Sequence, residues 1–403
     1  MKAVMYGAGN IGRGFVGALL SQAGYHVAFV DVAEPVVRAL NEKGRYPVRH
    51  VSSEGFEDVW IENVSAVNGD DAQAVADAIA GCDIMATAVG VRVLKSIAPN
   101  IAAGLRKRWK NSERPLNIII CENLMDANKV LEGLIKEQLS ASERDIFDRS
   151  VGLVEASIGR MVPVQTEEMK DGEPLRVCVE KYGFLPVDQD GFKGGIPDIP
   201  NLVPAAPFDF YIKRKLYLHN MGHALCAYLG GYLGMKYIWQ AIDDPDILCI
   251  VQSAMQESAA ALSRQYGEPL ENILLHAEDL LSRFRNRALM DTCARVGADP
   301  VRKLGAEDRL IGASGLILSQ GVTPAYIPVG AAGALYRHLS ESGMEQTCQN
   351  AAAALKDIAG VAEDSELGAN ILHMYALFAD GERPTALRRA AQAIREKSLG
   401  GVV

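Results

Sequence analysis

The hexapeptide Gly7-Ala8-Gly9-Asn10-Ile11-Gly12 follows the apolar run Lys2–Tyr6 and opens a helical pattern that continues from Ile11 to Ala23. A strand that passes through Gly-x-Gly-x-x-Gly into a helix is the turn of a dinucleotide-binding βαβ unit, and it restricts the chain to a doubly wound, largely parallel sheet. Gly7 permits the tight turn, Gly9 lets the backbone approach a pyrophosphate, and Gly12 lets the helix lie close to the strand. Ala8, Asn10, Ile11 and Arg13 complete the loop, whose helix N-terminus offers free amides to phosphate oxygens. The next strand, His26–Val30, ends in Asp31, at the spacing expected of a carboxylate that accepts hydrogen bonds from an adenosine ribose. That charge would repel a 2′-phosphate, so NAD is expected rather than NADP. A flavin, or no cofactor at all, is the competing use of such a fold.

Further strand-like runs at 84–89, 117–121, 151–157 and 175–181 alternate with helical stretches, as βαβ units do. Residues 47–67 read instead as a small antiparallel insertion. Thr87, Ala88 and Val89, with Gly90 behind them, end a strand where the ligand crevice of such sheets lies, which makes them cofactor candidates. A plain strand-to-loop turn has the same signature. Between Asp188 and Pro207 glycine and proline accumulate and break both kinds of element. Beyond that stretch helical patterns dominate, for example at 247–266 and 271–288. The expected organisation is an α/β chain: a Rossmann-type doubly wound domain over 1–190, then an all-helical substrate domain over 191–403. A length of 403 residues fits two domains.

A net charge of −9 argues against a nucleic-acid partner, because phosphate contacts need a basic surface. No apolar stretch reaches the roughly 18 residues that a membrane span requires. The seven cysteines are scattered and never spaced Cys-x-x-Cys, which fits reduced thiols in a cytoplasmic protein. The N-terminus carries no basic, apolar leader. Histidines and cysteines form no ligand-spaced cluster, so no metal site is expected.

The stretch Lys213-Arg214-Lys215-Leu216-Tyr217-Leu218-His219-Asn220-Met221-Gly222-His223 carries the candidate chemistry. In an α-helix, steps of about 100° put Lys215 at 0°, His219 at about 40°, His223 at about 80° and Asn220 at about 140°. Oxidising an alcohol without a metal needs a base for the hydroxyl proton and donors for the developing oxygen charge. A lysine serves as the base where burial and neighbouring positive charge favour its neutral form. The bland alternative is a solvated basic helix start with structural histidines, and spacing does not choose between His219 and His223.

With these motifs the whole chain resembles the polyol-specific long-chain dehydrogenase/reductase family. The resemblance rests on GAGNIGRGF (7–15), TAVG (87–90), PLNIIICEN (115–123), FKGGIPDIPN (192–201), KLYLHNMGHA (215–224) and RKLGAEDRL (302–310). It implies Lys215 as general acid/base, Asn123 and Asn220 on the reacting oxygen, and His223 rather than His219 orienting the substrate. The substrate implied is a small polyol or polyol phosphate. The chain length favours the phosphate-ester members, hence reversible conversion of D-mannitol 1-phosphate to D-fructose 6-phosphate with NAD. An unphosphorylated polyol, a hexuronate, or an NAD(H)-binding sensor without catalysis are the alternatives, and the resemblance leans toward a monomer. One position departs from the family pattern: Gly159 stands where an acid precedes Arg160, and Glu155 is a candidate to replace it. Arg283, Arg285, Arg287, Arg302, Lys303 and Arg309 are candidate phosphate ligands, though such residues are more commonly ion-paired on helix surfaces.

Overall fold

Six of the chain's apolar runs become one sheet because each is buried on both faces, as parallel strands must be. In the computed structural model, which describes residues 1–112, 114–398 and 400, they are separated by a hairpin early in the chain. In chain order the strands are β1 (Lys2–Tyr6), β2 (His26–Asp31), the hairpin β3 (Arg45–Ser52) and β4 (Gly55–Glu62), β5 (Val64–Asn68), β6 (Ile84–Thr87), β7 (Leu116–Ile120) and β8 (Val151–Glu155). The sheet order is β5-β2-β1-β6-β7-β8, all pairs parallel. β1 illustrates the period-2 rule: Ala3 and Met5 enter one core with Phe15, Phe29 and Tyr46, while Val4 and Tyr6 enter the other with Met85, Ile101 and Ile118.

The order reverses at β1, between β2 and β6, and this is where open α/β sheets bind ligands. Register places Tyr6 opposite Val30 on one side and Thr87 on the other, so Gly7, Asp31 and Ala88 emerge side by side.

The antiparallel insertion is real but shorter than expected. β3 and β4 pair antiparallel, whereas β5, at its expected end, joins the main sheet beside β2. The expected strand at 175–181 shrinks to β9 (Val177–Val179) and pairs with β3 instead of the main sheet. β10 (Leu185–Asp188) and β11 (Leu202–Ala205) then form a separate parallel pair. The chain divides into units Met1–Asp209 and Phe210–Val403, later than the 190/191 break expected from composition. The physical reason is that β11, inside the Gly- and Pro-rich stretch, pairs back onto β10.

Among its described residues the second unit contains helices and no strand, with a lone bridge between Tyr237 and Thr292. Its longest helix, Pro245–Tyr266, starts where the Asp244 carboxylate accepts the amides of Asp246 and Ile247 and ends at Gly267. No described helix is long and apolar enough to cross a membrane.

Candidate active site

In the first unit the glycine turn is held from three directions. The Gly7 amide donates to the Val30 carbonyl at 2.8 Å. Gly7 has φ +101°, and a Cβ there would stand 2.4 Å from the Ala88 carbonyl oxygen, so only glycine fits. Asp31 accepts the Ala8 amide on Oδ2 at 2.6 Å and the Ala33 amide on Oδ1 at 2.9 Å. A Cβ at Gly9 would meet nothing within 4 Å. The backbone of Gly9 and Asn10 therefore faces open space beside a helix start, which fits the pyrophosphate of a dinucleotide.

Arg13 departs from its expected place beside the cofactor. It is buried, its Nε donates to the Ala8 carbonyl at 2.7 Å, and one terminal nitrogen donates to the Leu175 carbonyl. Burial lowers its pKa. The residue braces the loop from inside. The helix it opens starts in π form over Gly12–Val16, with the Gly17 amide closing five residues back on Gly12.

The segment Thr87-Ala88-Val89-Gly90 follows β6. The Ala88 amide bonds the Tyr6 carbonyl, and the Thr87 carbonyl accepts the Cys121 amide. Sequence reasoning missed what holds the rest. Buried Glu122 accepts the Val89 amide at 2.9 Å on one oxygen and the Gly90 amide at 2.8 Å on the other. Asn123, the next residue, is exposed on the turn after β7. One carboxylate thus ties the loop after β6 to the turn that carries Asn123. Its place in PLNIIICEN, beside Asn123, was the signal available in the sequence.

β8 ends at Glu155, so strand alternation does not carry its face on to Gly159. Glu155 lies near Asp126 and Asp188, and burial followed by those charges raises its pKa. At Gly159 a Cβ would stand 3.1 Å from the Tyr182 ring, which takes the space an acid would need. Strand geometry thus gives no basis for placing Glu155 on the same face as Gly159. Arg160 donates to the Gly14 carbonyl at 2.9 Å and stacks on Phe15.

In the second unit the helix Asp209–Arg214 runs into a π-helical turn, Lys215–Asn220, and then into the α-helix Met221–Tyr232. The steps of 100° expected for this stretch do not hold, because the Met221 amide reaches five residues back to the Leu216 carbonyl. Lys215, Asn220 and His223 are half-buried, whereas His219 is buried. Burial holds the His219 pKa well below its ordinary value, and Arg283, His223, His276 and Lys215 reinforce that. His219 is thus a neutral core residue. The His223 ring stacks on Phe284 at 4.9 Å, and its Nε2 stands 3.1 Å from Asp291 Oδ2. Asp291 is buried, which raises its pKa, but contact with His223 and Arg295 overcomes this and lowers it. Nothing local to 215–223 announces Phe284 or Asp291.

Of the candidate phosphate ligands, Arg285 and Arg287 share Asp243 at 3.6 and 3.5 Å. Arg283 meets Asp279 at 3.3 Å, Arg302 meets Asp299 at 2.9 Å and Arg309 meets Asp308 at 2.7 Å. Lys303 is buried against the Ala298 carbonyl, and burial together with Arg309 and Arg302 lowers its pKa to about 8.

Residues 1–201 match the family described as mannitol dehydrogenase Rossmann domain, and residues 208–396 match its C-terminal domain. The chain belongs to the mannitol dehydrogenase family. It is 37% identical over 374 residues to a mannitol-1-phosphate 5-dehydrogenase of Bacillus licheniformis, covering 91% of this chain and 97% of that one. A mannitol-1-phosphate 5-dehydrogenase of Brevibacillus brevis is 39% identical over 83% of this chain and 86% of its own. Among solved structures, a Pseudomonas fluorescens mannitol 2-dehydrogenase in ternary complex with NAD and D-mannitol matches with TM-score 0.76 at 16% identity, over 98% of this chain and 94% of that one. A D-sorbitol dehydrogenase matches with TM-score 0.78 at 15% identity, over 96% and 94%. These two establish the mannitol dehydrogenase fold for this chain.

Proposed function

We propose that this chain is an NAD-dependent dehydrogenase that interconverts D-mannitol 1-phosphate and D-fructose 6-phosphate. The observation that carries the substrate is the likeness to the Bacillus licheniformis enzyme along nearly its whole length. Gly7–Gly12, Asp31 and Thr87–Val89 would hold NAD, which supplies the hydride acceptor when bound. Lys215 takes the proton of the hydroxyl being oxidised and returns it in the reverse direction. Asn220 and Asn123 donate to the reacting oxygen as its charge changes. His223, steadied by Phe284 and Asp291, orients the substrate. Seven cysteines that form no disulfide suit a reducing compartment, the cytoplasm.

A second reading, an unphosphorylated polyol, is favoured by the ion pairing of Arg285, Arg287, Arg302 and Arg309, which leaves those cations partly neutralised. Purified protein with NAD and a panel of polyols and polyol phosphates, followed by NADH absorbance, separates the two. Mannitol 1-phosphate should be oxidised with a far higher kcat/KM than mannitol. Lys215→Ala should cut turnover by roughly 100-fold or more while NAD still binds. Near-normal turnover in that variant would overturn the role of Lys215.

A further inference from the structure

Lys215 and Asn220 are five residues apart, so the helical form between them decides whether they can act together. In α form they would diverge by roughly 140°. Closure over five residues turns the chain by roughly 80° per step, which leaves Asn220 roughly 40° from Lys215. The observed π turn spans these two residues and no more.

A π turn inside an α-helix has a cost. Where five-residue closure gives way to four-residue closure, one carbonyl is passed over by the helical amides, and in a buried position it needs another donor. Tyr217 lies in this transition and is buried. Its carbonyl accepts the hydroxyl of Ser258 at 2.7 Å, and Ser258 is fully buried on helix Pro245–Tyr266. The approach of that helix is allowed one turn away: a Cβ at Gly222 would stand 2.8 Å from the sulfur of Met255, which shares a face with Ser258. The other end of Tyr217 is pinned too, its hydroxyl donating to the Glu307 carbonyl at 3.1 Å.

We propose that Ser258 is a positioning residue for the reaction: its hydroxyl holds the π turn that brings Lys215 and Asn220 to one side of the helix. This rests on the reading of Lys215 as the proton acceptor. Ser258 is fully buried with its hydroxyl on the Tyr217 carbonyl, so its effect is expected in turnover and not in NAD binding. Without the hydroxyl, the turn relaxes toward α closure, in which the Met221 amide serves the Tyr217 carbonyl and Asn220 swings away.

The test uses the full-length enzyme and the variants S258A, S258C, S258T and K215A. It measures kcat, the NAD dissociation constant, and folding by near-UV circular dichroism and thermal melting. A displacement of this kind costs roughly 100-fold in rate. S258A is expected to lose about that much kcat with its NAD dissociation constant within about twofold of wild type. S258T, which keeps the hydroxyl, should recover most of the loss; S258C, whose thiol is a weak donor, should not. Should S258A fail to fold, the comparison of S258C with S258T carries the same test. Normal kcat in a folded S258A or S258C overturns the proposal. So does an S258T no better than S258C, which would mark a packing effect. Near-normal kcat in K215A overturns the underlying reading instead, and that variant reports it separately.

Discussion

Asp31 reaches the Ala8 amide with one oxygen and the Ala33 amide with the other, so its replacement removes a brace of the turn as well as the expected ribose acceptor. Asp31→Ala should weaken NAD binding by about 1–2 kcal/mol, roughly tenfold in Kd. NADP, freed from the repulsion, should lose little, and calorimetry with both nucleotides checks the narrowing gap. Glu122 permits a graded test. Glu122→Gln keeps one acceptor for the amides of Val89 and Gly90, whereas Glu122→Ala strands both. Titration with NADH should find Glu122→Ala the weaker binder, by about 1–3 kcal/mol against wild type, with Glu122→Gln between them. The contrast between these two acids explains what could be read from the sequence. Asp31 follows a strand at a fixed distance from a glycine turn, so its place is local and legible. Glu122 acts on residues more than thirty positions away, and His223 meets Asp291 across a longer gap. Such partners are set by the sheet and by helix packing, which periodicity does not encode. Arg13 errs in the other direction: its place in the motif suggested the ligand side, but long-range burial turned it inward.

Strands were legible because apolar runs on a doubly covered sheet have few other solutions, and β1, β2, β6, β7 and β8 fall within a few residues of their expected places. The π turn at 215–220 was not, since its cause lies on another helix. Helix packing also creates two opposed responses to pH. Glu257, on helix Pro245–Tyr266, accepts the amides of Ala325 and Tyr326 at 3.1 Å, at the start of helix Ile327–Glu341. Burial raises its pKa from 4.5 to about 7 despite those bonds. The native state then holds a proton that the unfolded chain releases, so this group's contribution falls as pH rises from 4.5 to about 7. Its full ionisation costs on the order of 3 kcal/mol. Glu257→Gln should therefore raise Tm above about pH 8, with the gain fading toward acid. His276 slopes the other way. Burial, then Arg214 and Arg283, lowers it from 6.5 to about 3, so its contribution is present above 6.5 and is lost as pH falls toward 3. His276→Gln should flatten the acid limb of a melting series while leaving its alkaline limb unchanged.

For the molecule as a whole, alternation of strand and helix followed by helices alone was enough to anticipate two units, since each pattern buries its apolar residues in only one architecture. Among the described residues no three His, Cys, Asp or Glu side chains are grouped to hold an ion. Activity should survive prolonged chelation, and loss restored by zinc would overturn the lysine chemistry. Light scattering is expected to report a single 43.4 kDa chain.

The small sheet beside the nucleotide loop bears on how the enzyme is made. Gly14 leaves no room for a Cβ because Val177 and Val179 of β9 press against it, and Arg13 is anchored on Leu175. On the ribosome, all six strands of the main sheet and the glycine turn exist once β8 has emerged, yet the wall behind that turn has not. Nascent chains arrested after Glu155 should carry a loop without its backing and retain no NADH, while chains arrested beyond Asp209 should retain it. Cofactor capture would then wait on a segment translated more than 160 residues after the loop it backs.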